Sequence, residues 1–161
     1  MTPKVDYERL VPVNEMAGED DEETAQLHEM LEEARRYLKG QRWCRSIERE
    51  LLGLGVGGVV AVFLVDLVRD PGVHDLLWVV CGDLPTAYLV TDAAPTATVA
   101  LEVYCELMDE WIDAVRNEAP LNAVFPVGAQ PTEDNVARLE RRISFLRGEL
   151  IPAFEREGTD T

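Results

Sequence analysis

The residues of this chain best suited to chemistry are carboxylates that share one face of a predicted helix. After Pro95, apolar residues recur at spacings of three and four: Leu101, Tyr104, Leu107, Met108, Trp111 and Val115. At about 100° per residue, the opposite arc of such a helix carries five carboxylates: Glu102, Glu106, Asp109, Glu110 and Asp113. Such a face suits a solvated surface, a docking face for a basic protein or a divalent metal site. Because di-iron bundles use Glu-x-x-His pairs and this helix has no histidine, we expect no metal.

Two further motifs point weakly to catalysis or cofactor binding. The segment Gly53–Gly58 matches GxGxxG, but a β-branched run follows it where a dinucleotide-binding fold needs a helix. We therefore predict a glycine hairpin or bulge and no cofactor. His74 and Cys81 would lie about 23 Å apart on one extended strand, which excludes a nucleophile–base dyad. We predict no catalytic residues.

The composition indicates an acidic globular protein. The 161 residues include 15 lysines and arginines against 31 aspartates and glutamates, for a formal net charge of −16. This charge disfavours binding to nucleic acid or to an anionic membrane surface. The N-terminus has no signal-peptide pattern, and three widely spaced cysteines suit a reducing compartment, so we expect a cytoplasmic protein.

The hydrophobic patterning predicts an α+β fold, in which an antiparallel meander of three to four strands packs against three helices. One helix, with Leu27, Met30, Leu31, Ala34, Tyr37 and Leu38 on one side, precedes the sheet and ends at Gly40. Two helices follow it, and the last, capped by Thr132, has a seam of Val136, Leu139, Ile143, Leu146 and Leu150. Residues 43–52 fit either a strand or a helix, and we favour a strand. We expect a mobile arm over residues 1–20, a single domain over 21–155 and a disordered tail over 156–161.

A basic run with interleaved aromatics lies between the first helix and the sheet. It consists of Arg35, Arg36, Lys39, Arg42, Arg45 and Arg49, with Tyr37 and Trp43 between them. Such a run resembles a small nucleic-acid patch. Neighbouring glutamates dilute it, so we interpret it as a counter-charge layer for the acids of this protein.

Several segments of the sheet region together resemble a family of small bacterial proteins. They are Gly55–Leu64 (GVGGVVAVFL), Leu77–Val80 (LWVV), Gly82–Pro85 (GDLP), Ala87–Asp92 (AYLVTD) and Ala94–Thr96 (APT). The resemblance covers roughly residues 43 to 151. We know no assigned activity for that family, so the resemblance implies no site residue.

Two classes of function remain. The first is a non-enzymatic interaction module, similar to small acidic immunity or inhibitor proteins that cover the basic cleft of a toxin. Its contacts would be the five carboxylates, with Phe125 and Phe145 as aromatic anchors. The second is an enzyme or small-molecule-binding protein whose pocket, between sheet and helices, uses His74, Asp83, Tyr88 and Asp92. We favour the first, since two histidines assemble no catalytic set. Antiparallel edge strands and an outward Phe145 would also suit a homodimer.

Overall fold

The computed structural model describes residues 5–159 and has the predicted α+β architecture. One antiparallel sheet has its strands in chain order: β1 (Val11–Pro12), β2 (Cys44–Val56), β3 (Val60–Arg69), β4 (Val73–Gly82) and β5 (Ala87–Val90). The long helices are α1 (Asp21–Lys39) and α2 (Ala97–Arg116), and a third helical run contains α3 (Glu133–Phe145), a π turn (Leu146–Leu150) and α4 (Ile151–Thr159). Single 3₁₀ turns occupy Val13–Glu15 and Leu121–Ala123. The chain divides into two compact units, one up to Ala100 and one from Leu101 onward.

The predicted count of three to four strands is wrong, because β1 adds a fifth strand. Its residues Val11 and Pro12 pair with Leu52 and Leu51. A strand of two residues that contains a proline has neither the alternation nor the composition by which strands are recognised. It comes from the segment predicted as an arm, in which Met16 is also buried in the core. Residues 1–4, at the start of that segment, lie outside the described residues.

Of the uncertain residues 43–52, those from Cys44 onward belong to β2, which agrees with the favoured strand. Three register shifts, after Cys44, Ile47 and Leu52, interrupt the alternation of this strand. Apolar side chains at its bulged positions therefore mimic a helical spacing. Gly57 and Gly58 form the turn into β3, with Gly58 at φ 77°. The glycine motif is thus a hairpin and a bulge, and the element that follows it is a strand.

The helix α1 covers one face of the sheet. Its N-terminus is capped by Asp20, whose carboxylate accepts a 2.8 Å hydrogen bond from the Glu23 backbone N–H. Its apolar side is buried as predicted, except that Tyr37 is half-buried: Leu27, Met30, Leu31, Ala34 and Leu38. These pack on inward side chains of the sheet: Ala61, Phe63, Val65, Leu67, Leu77, Val79 and Cys81. Burial of each large side chain contributes about 1.5–3 kcal/mol, which fixes the helix on the sheet.

The link from β5 to α2 is held by two polar contacts. The indole Nε1 of Trp78 donates a 2.8 Å hydrogen bond to the Ala94 carbonyl oxygen. The Thr96 hydroxyl accepts from the Val99 N–H at 3.2 Å, capping the start of α2. These contacts fix where the helix that carries the carboxylates begins.

The unit from Leu101 onward contains the remaining helices. Thr132 caps α3 as predicted, and the predicted seam of the last helix is buried from Val136 to Leu150. The π turn ends at Leu150, two residues before Pro152, which has no N–H to donate within the helix, so a wider turn accommodates it. The helical run then continues through residues 156–159 of the predicted tail, and residues 160–161 lie outside the described part. In the described part of the chain, no helix is long and apolar enough to cross a bilayer.

Candidate functional site

The predicted carboxylates do share the outward side of α2. We call them the acidic surface: Glu102, Glu106, Asp109, Glu110 and Asp113. Four of them are exposed, and Asp109 is half-buried. The intervening residues Leu101, Tyr104, Met108 and Trp111 are buried, which turns the carboxylates outward. The local cause is the 3.6-residue period of an amphipathic helix.

A sixth carboxylate, from another element of the same unit, joins this surface. The side chain of Glu155 of α4 lies close to that of Glu102. Burial raises the pKa of Glu102, and the neighbouring carboxylates of Glu155 and Glu106 raise it further. The acidic surface is therefore dense enough for like charges to perturb one another.

Arg147 offsets part of this charge, whereas Arg116 pairs with carboxylates of α3. Arg147, from the π turn, donates from Nη1 to Asp109 Oδ2 at 2.6 Å, and this bond raises the pKa of Arg147. At the end of α2, Arg116 binds Glu140 at 2.7 Å and Glu133 at 3.0 Å. The Arg116 guanidinium lowers the pKa of Glu140. The sequence alone did not reveal the Arg147 contact, because it depends on where the π turn places that side chain.

The two predicted aromatic anchors have different environments. Phe145, the last residue of α3, is 44% exposed and lies two positions before Arg147. Phe125 is half-buried in the connection between α2 and α3 and makes contacts there. Phe145 is thus the more accessible of the two for an intermolecular contact.

The residues predicted for a ligand pocket are separated in the structure. His74 and Asp83 flank opposite ends of β4, roughly 30 Å apart at 3.3 Å per residue. Tyr88 pairs with Val79 on the sheet face that α1 covers, whereas His74, five residues from Val79, points to the other face. The nearest carboxylate to His74 is that of Asp66, with Nδ1 and Oδ1 3.7 Å apart. Asp92 is exposed after β5, so these four side chains share no pocket.

Asp83 instead lines an open depression beside α1. The depression is bounded by the turns at Gly58 and Gly82 and by one side of the helix: Gln26, Glu29, Met30, Glu33 and Arg36. One wall is fixed by a 3.0 Å hydrogen bond from the Thr86 hydroxyl to Glu33 Oε1. The lining of this depression is mostly polar and contains both positively and negatively charged side chains.

Tyr88 belongs to an aromatic cluster that the sequence did not predict. Its ring centroid lies 5.2 Å from that of Trp43, edge to face, and 6.3 Å from that of Tyr37. The guanidinium of Arg69 lies 4.7 Å from the Trp43 ring centroid. Burial raises the pKa of Tyr37, and so does the nearby Tyr88. The only sequence signal for this cluster was the aromatic residues within the basic run.

The basic run is only partly a counter-charge layer. Arg35 binds Glu50 through two hydrogen bonds, of 2.8 and 2.7 Å, and Arg45 binds Asp70 at 2.6 Å. By contrast, no ion pair with a described residue involves the exposed side chains of Arg36, Lys39 and Arg42.

The cysteines lie in the interior or at its margin. Cys81 is fully buried and its thiol lies 3.4 Å from the Met30 carbonyl oxygen. Burial raises the pKa of Cys81 and of Cys105 to about 12, so both stay protonated at neutral pH. Among the described residues, no three His, Cys, Asp or Glu side chains are grouped to hold a metal ion.

Comparison with known proteins finds no matching family model, no similar curated protein and no similar solved structure. The family resemblance stated above therefore stays a prediction.

Proposed function

We propose that this protein is a non-enzymatic interaction module that docks a basic partner protein on the acidic surface. One observation carries the proposal: exposed carboxylates follow one another along α2, joined by Glu155, and among the described residues the ion pair with an arginine involves Asp109. Unpaired carboxylates at this density generate a field that attracts a cationic surface.

The charges would govern the rate of association more than its final strength. Exposed interfacial charges steer encounter and fix orientation, and each contributes modestly to affinity. Affinity then needs a desolvated anchor, and Phe145 is the exposed aromatic residue nearest in sequence to the arginine that contacts Asp109. An immunity or inhibitor protein that covers a basic cleft would use this combination.

The test compares two variants with the same change in net charge. In the first, Glu106→Gln, Glu110→Gln and Asp113→Asn neutralise the acidic surface. In the matched control, exposed glutamates of the other unit are neutralised: Glu15→Gln, Glu22→Gln and Glu29→Gln. Each variant and the wild type serve as bait in the native cell extract at low and moderate salt, with mass spectrometry of the bound proteins.

We expect the wild type and the control to retain one basic protein that dissociates as salt rises, and the first variant to lose it. If the first variant retains that protein as well as the wild type does, the acidic surface is not the docking site. If the control alone loses it, the contact lies on the α1 side of the protein.

The second candidate, a small-molecule-binding protein or enzyme, is supported by the depression beside α1. Its lining combines the Arg36 guanidinium with the carboxylates of Glu29, Glu33 and Asp83. Such a mixture suits a small zwitterion. A thermal shift with amino acids that Asp83→Asn abolishes would favour this candidate over the first.

A further inference from the structure

Most arginines in the described unit up to Ala100 are engaged by neighbouring groups. Arg35 binds Glu50 and Glu32, Arg45 binds Asp70, and Arg69 binds Asp75 at 2.9 Å. In a protein of net charge −16, most arginine and lysine side chains are expected to pair with a carboxylate. Cations that stay unpaired in the same unit therefore call for an explanation.

Three such cations lie close together in sequence at the end of α1. Arg36 and Lys39 are one helical turn apart, and Arg42 follows in the loop after Gly40. All three side chains are exposed, and no described residue forms an ion pair with them. An approaching anion would meet them without first having to displace a carboxylate.

The aromatic cluster includes residues that are next in sequence to two of these cations. Tyr37 follows Arg36 and Trp43 follows Arg42, and both rings contact Tyr88. Arg69 lies over Trp43 and is itself tied to Asp75, so the cluster is held in one arrangement. Val90, on the same sheet face as Tyr88, is 59% exposed. Rigid Trp, Tyr and Arg side chains beside exposed apolar surface are typical of interface hot spots.

We propose that this basic–aromatic surface (Arg36, Lys39, Arg42, Tyr37, Trp43 and Tyr88) docks an acidic peptide segment of a partner protein. Carboxylates of the peptide pair with the three cations, and an apolar side chain between them packs on the half-buried rings and Val90. The proposal is independent of the acidic surface, which lies in the other unit.

The charges around this surface favour a peptide over a nucleic acid. Glu33 and Asp83 line the depression that Arg36 borders, and Asp75 lies beside Arg69. A continuous phosphate backbone would run past these carboxylates, whereas a peptide can place a few acidic side chains on the cations and neutral ones elsewhere. A second copy of the chain is also disfavoured, since each copy carries −16.

The test measures fluorescence anisotropy of three labelled probes titrated with the full chain. They are a short peptide of glutamate and phenylalanine, the same peptide with glutamine in place of glutamate, and single-stranded DNA of matched charge. The variant Lys39→Gln/Arg42→Gln is compared with Arg138→Gln/Arg141→Gln, which removes two exposed arginines of α3. All four side chains are exposed, so both variants should fold, and circular dichroism checks this.

We expect the acidic peptide to bind the wild type best and to lose about tenfold in affinity, or about 1.4 kcal/mol, in Lys39→Gln/Arg42→Gln but not in the control. Three results would overturn the proposal. They are equal binding of the glutamine peptide, stronger binding of DNA, or equal losses in the two variants. A fourth contrary result would come from sedimentation velocity without a probe. If the wild type self-associates and Lys39→Gln/Arg42→Gln does not, the surface binds a second copy of the chain.

Discussion

Neutralising Glu106 should make the protein more stable, although it removes a residue of the proposed docking site. Glu106 has like charges four residues away on both sides, at Glu102 and Glu110, and three residues away at Asp109. Asp109 is compensated by Arg147, which leaves two uncompensated repulsions. Glutamine has nearly the same helix propensity as glutamate, so Glu106→Gln changes little else.

The magnitude follows from helix pair energies. Each like-charge pair costs about 0.2–0.5 kcal/mol, so two pairs set an upper limit of about 1 kcal/mol. Arg147 also attracts Glu106, which reduces the gain. We therefore expect Glu106→Gln to raise the free energy of unfolding by about 0.5 kcal/mol, or Tm by about 1–2 °C for a chain of this size.

The assay is urea unfolding followed by circular dichroism, at low ionic strength and again at high salt. The gain should vanish at about 1 M salt, where the screening length falls to about 3 Å. The control is Glu140→Gln, which instead breaks the ion pair with Arg116 and should not raise stability. A Glu106→Gln protein less stable than the wild type at low salt, or a gain insensitive to salt, would refute the reasoning.

Three further perturbations test other contacts of the structure. Because the pKa of Glu102 is raised, the folded state binds the Glu102 proton more tightly than the unfolded chain does. Stability should therefore fall as pH rises from the ordinary glutamate range through the raised pKa. In Glu102→Gln, unfolding measured across this pH range should lack that fall. Arg35→Gln leaves the 10% exposed Glu50 carboxylate without its arginine and should lower the free energy of unfolding by about 2 kcal/mol. This value is below that for a fully buried pair because Arg35 is partly exposed. In urea unfolding, the double variant Arg35→Gln/Glu50→Gln should recover part of the lost stability. Gly82→Ala places a Cβ against the Val59 carbonyl oxygen at φ 134° and should cost about 2–3 kcal/mol by the same assay. An unfolding midpoint equal to that of the wild type would exclude this strain.

The parts of the fold predictable from the sequence are those with local causes. The stripe of α1, the Thr132 cap and the glycine turn into β3 each follow from residue spacing or turn chemistry. The fifth strand was missed because Val11 and Pro12 pair through the backbone alone and leave no periodic signal. The bulges of β2 are likewise set by its partner strand rather than by its own residues.

The candidate site divides in the same way. The outward direction of the five carboxylates follows from helical period, and the structure agrees. The neighbours of those carboxylates cannot be predicted from helical period, because Arg147 and Glu155 approach them from elements far along the chain. The four residues predicted to line a ligand pocket lie apart for a similar reason: the register of β3 and β4 places His74 beside Asp66, and sheet pleating turns Tyr88 to the opposite face.

The energetic cost of the acidic surface is itself an argument about its role. Glu23 and Glu50 hold a turn and an arginine, so their charges stabilise the fold. The exposed Glu106 and Glu110 have no such contact with the described residues and repel their neighbours. A binding surface is expected to carry such residues, which lower the stability of the free protein. Their charge is offset when a partner binds. A basic partner should therefore stabilise the protein more at low salt than at high salt, and neutralising Glu106 should reduce that gain.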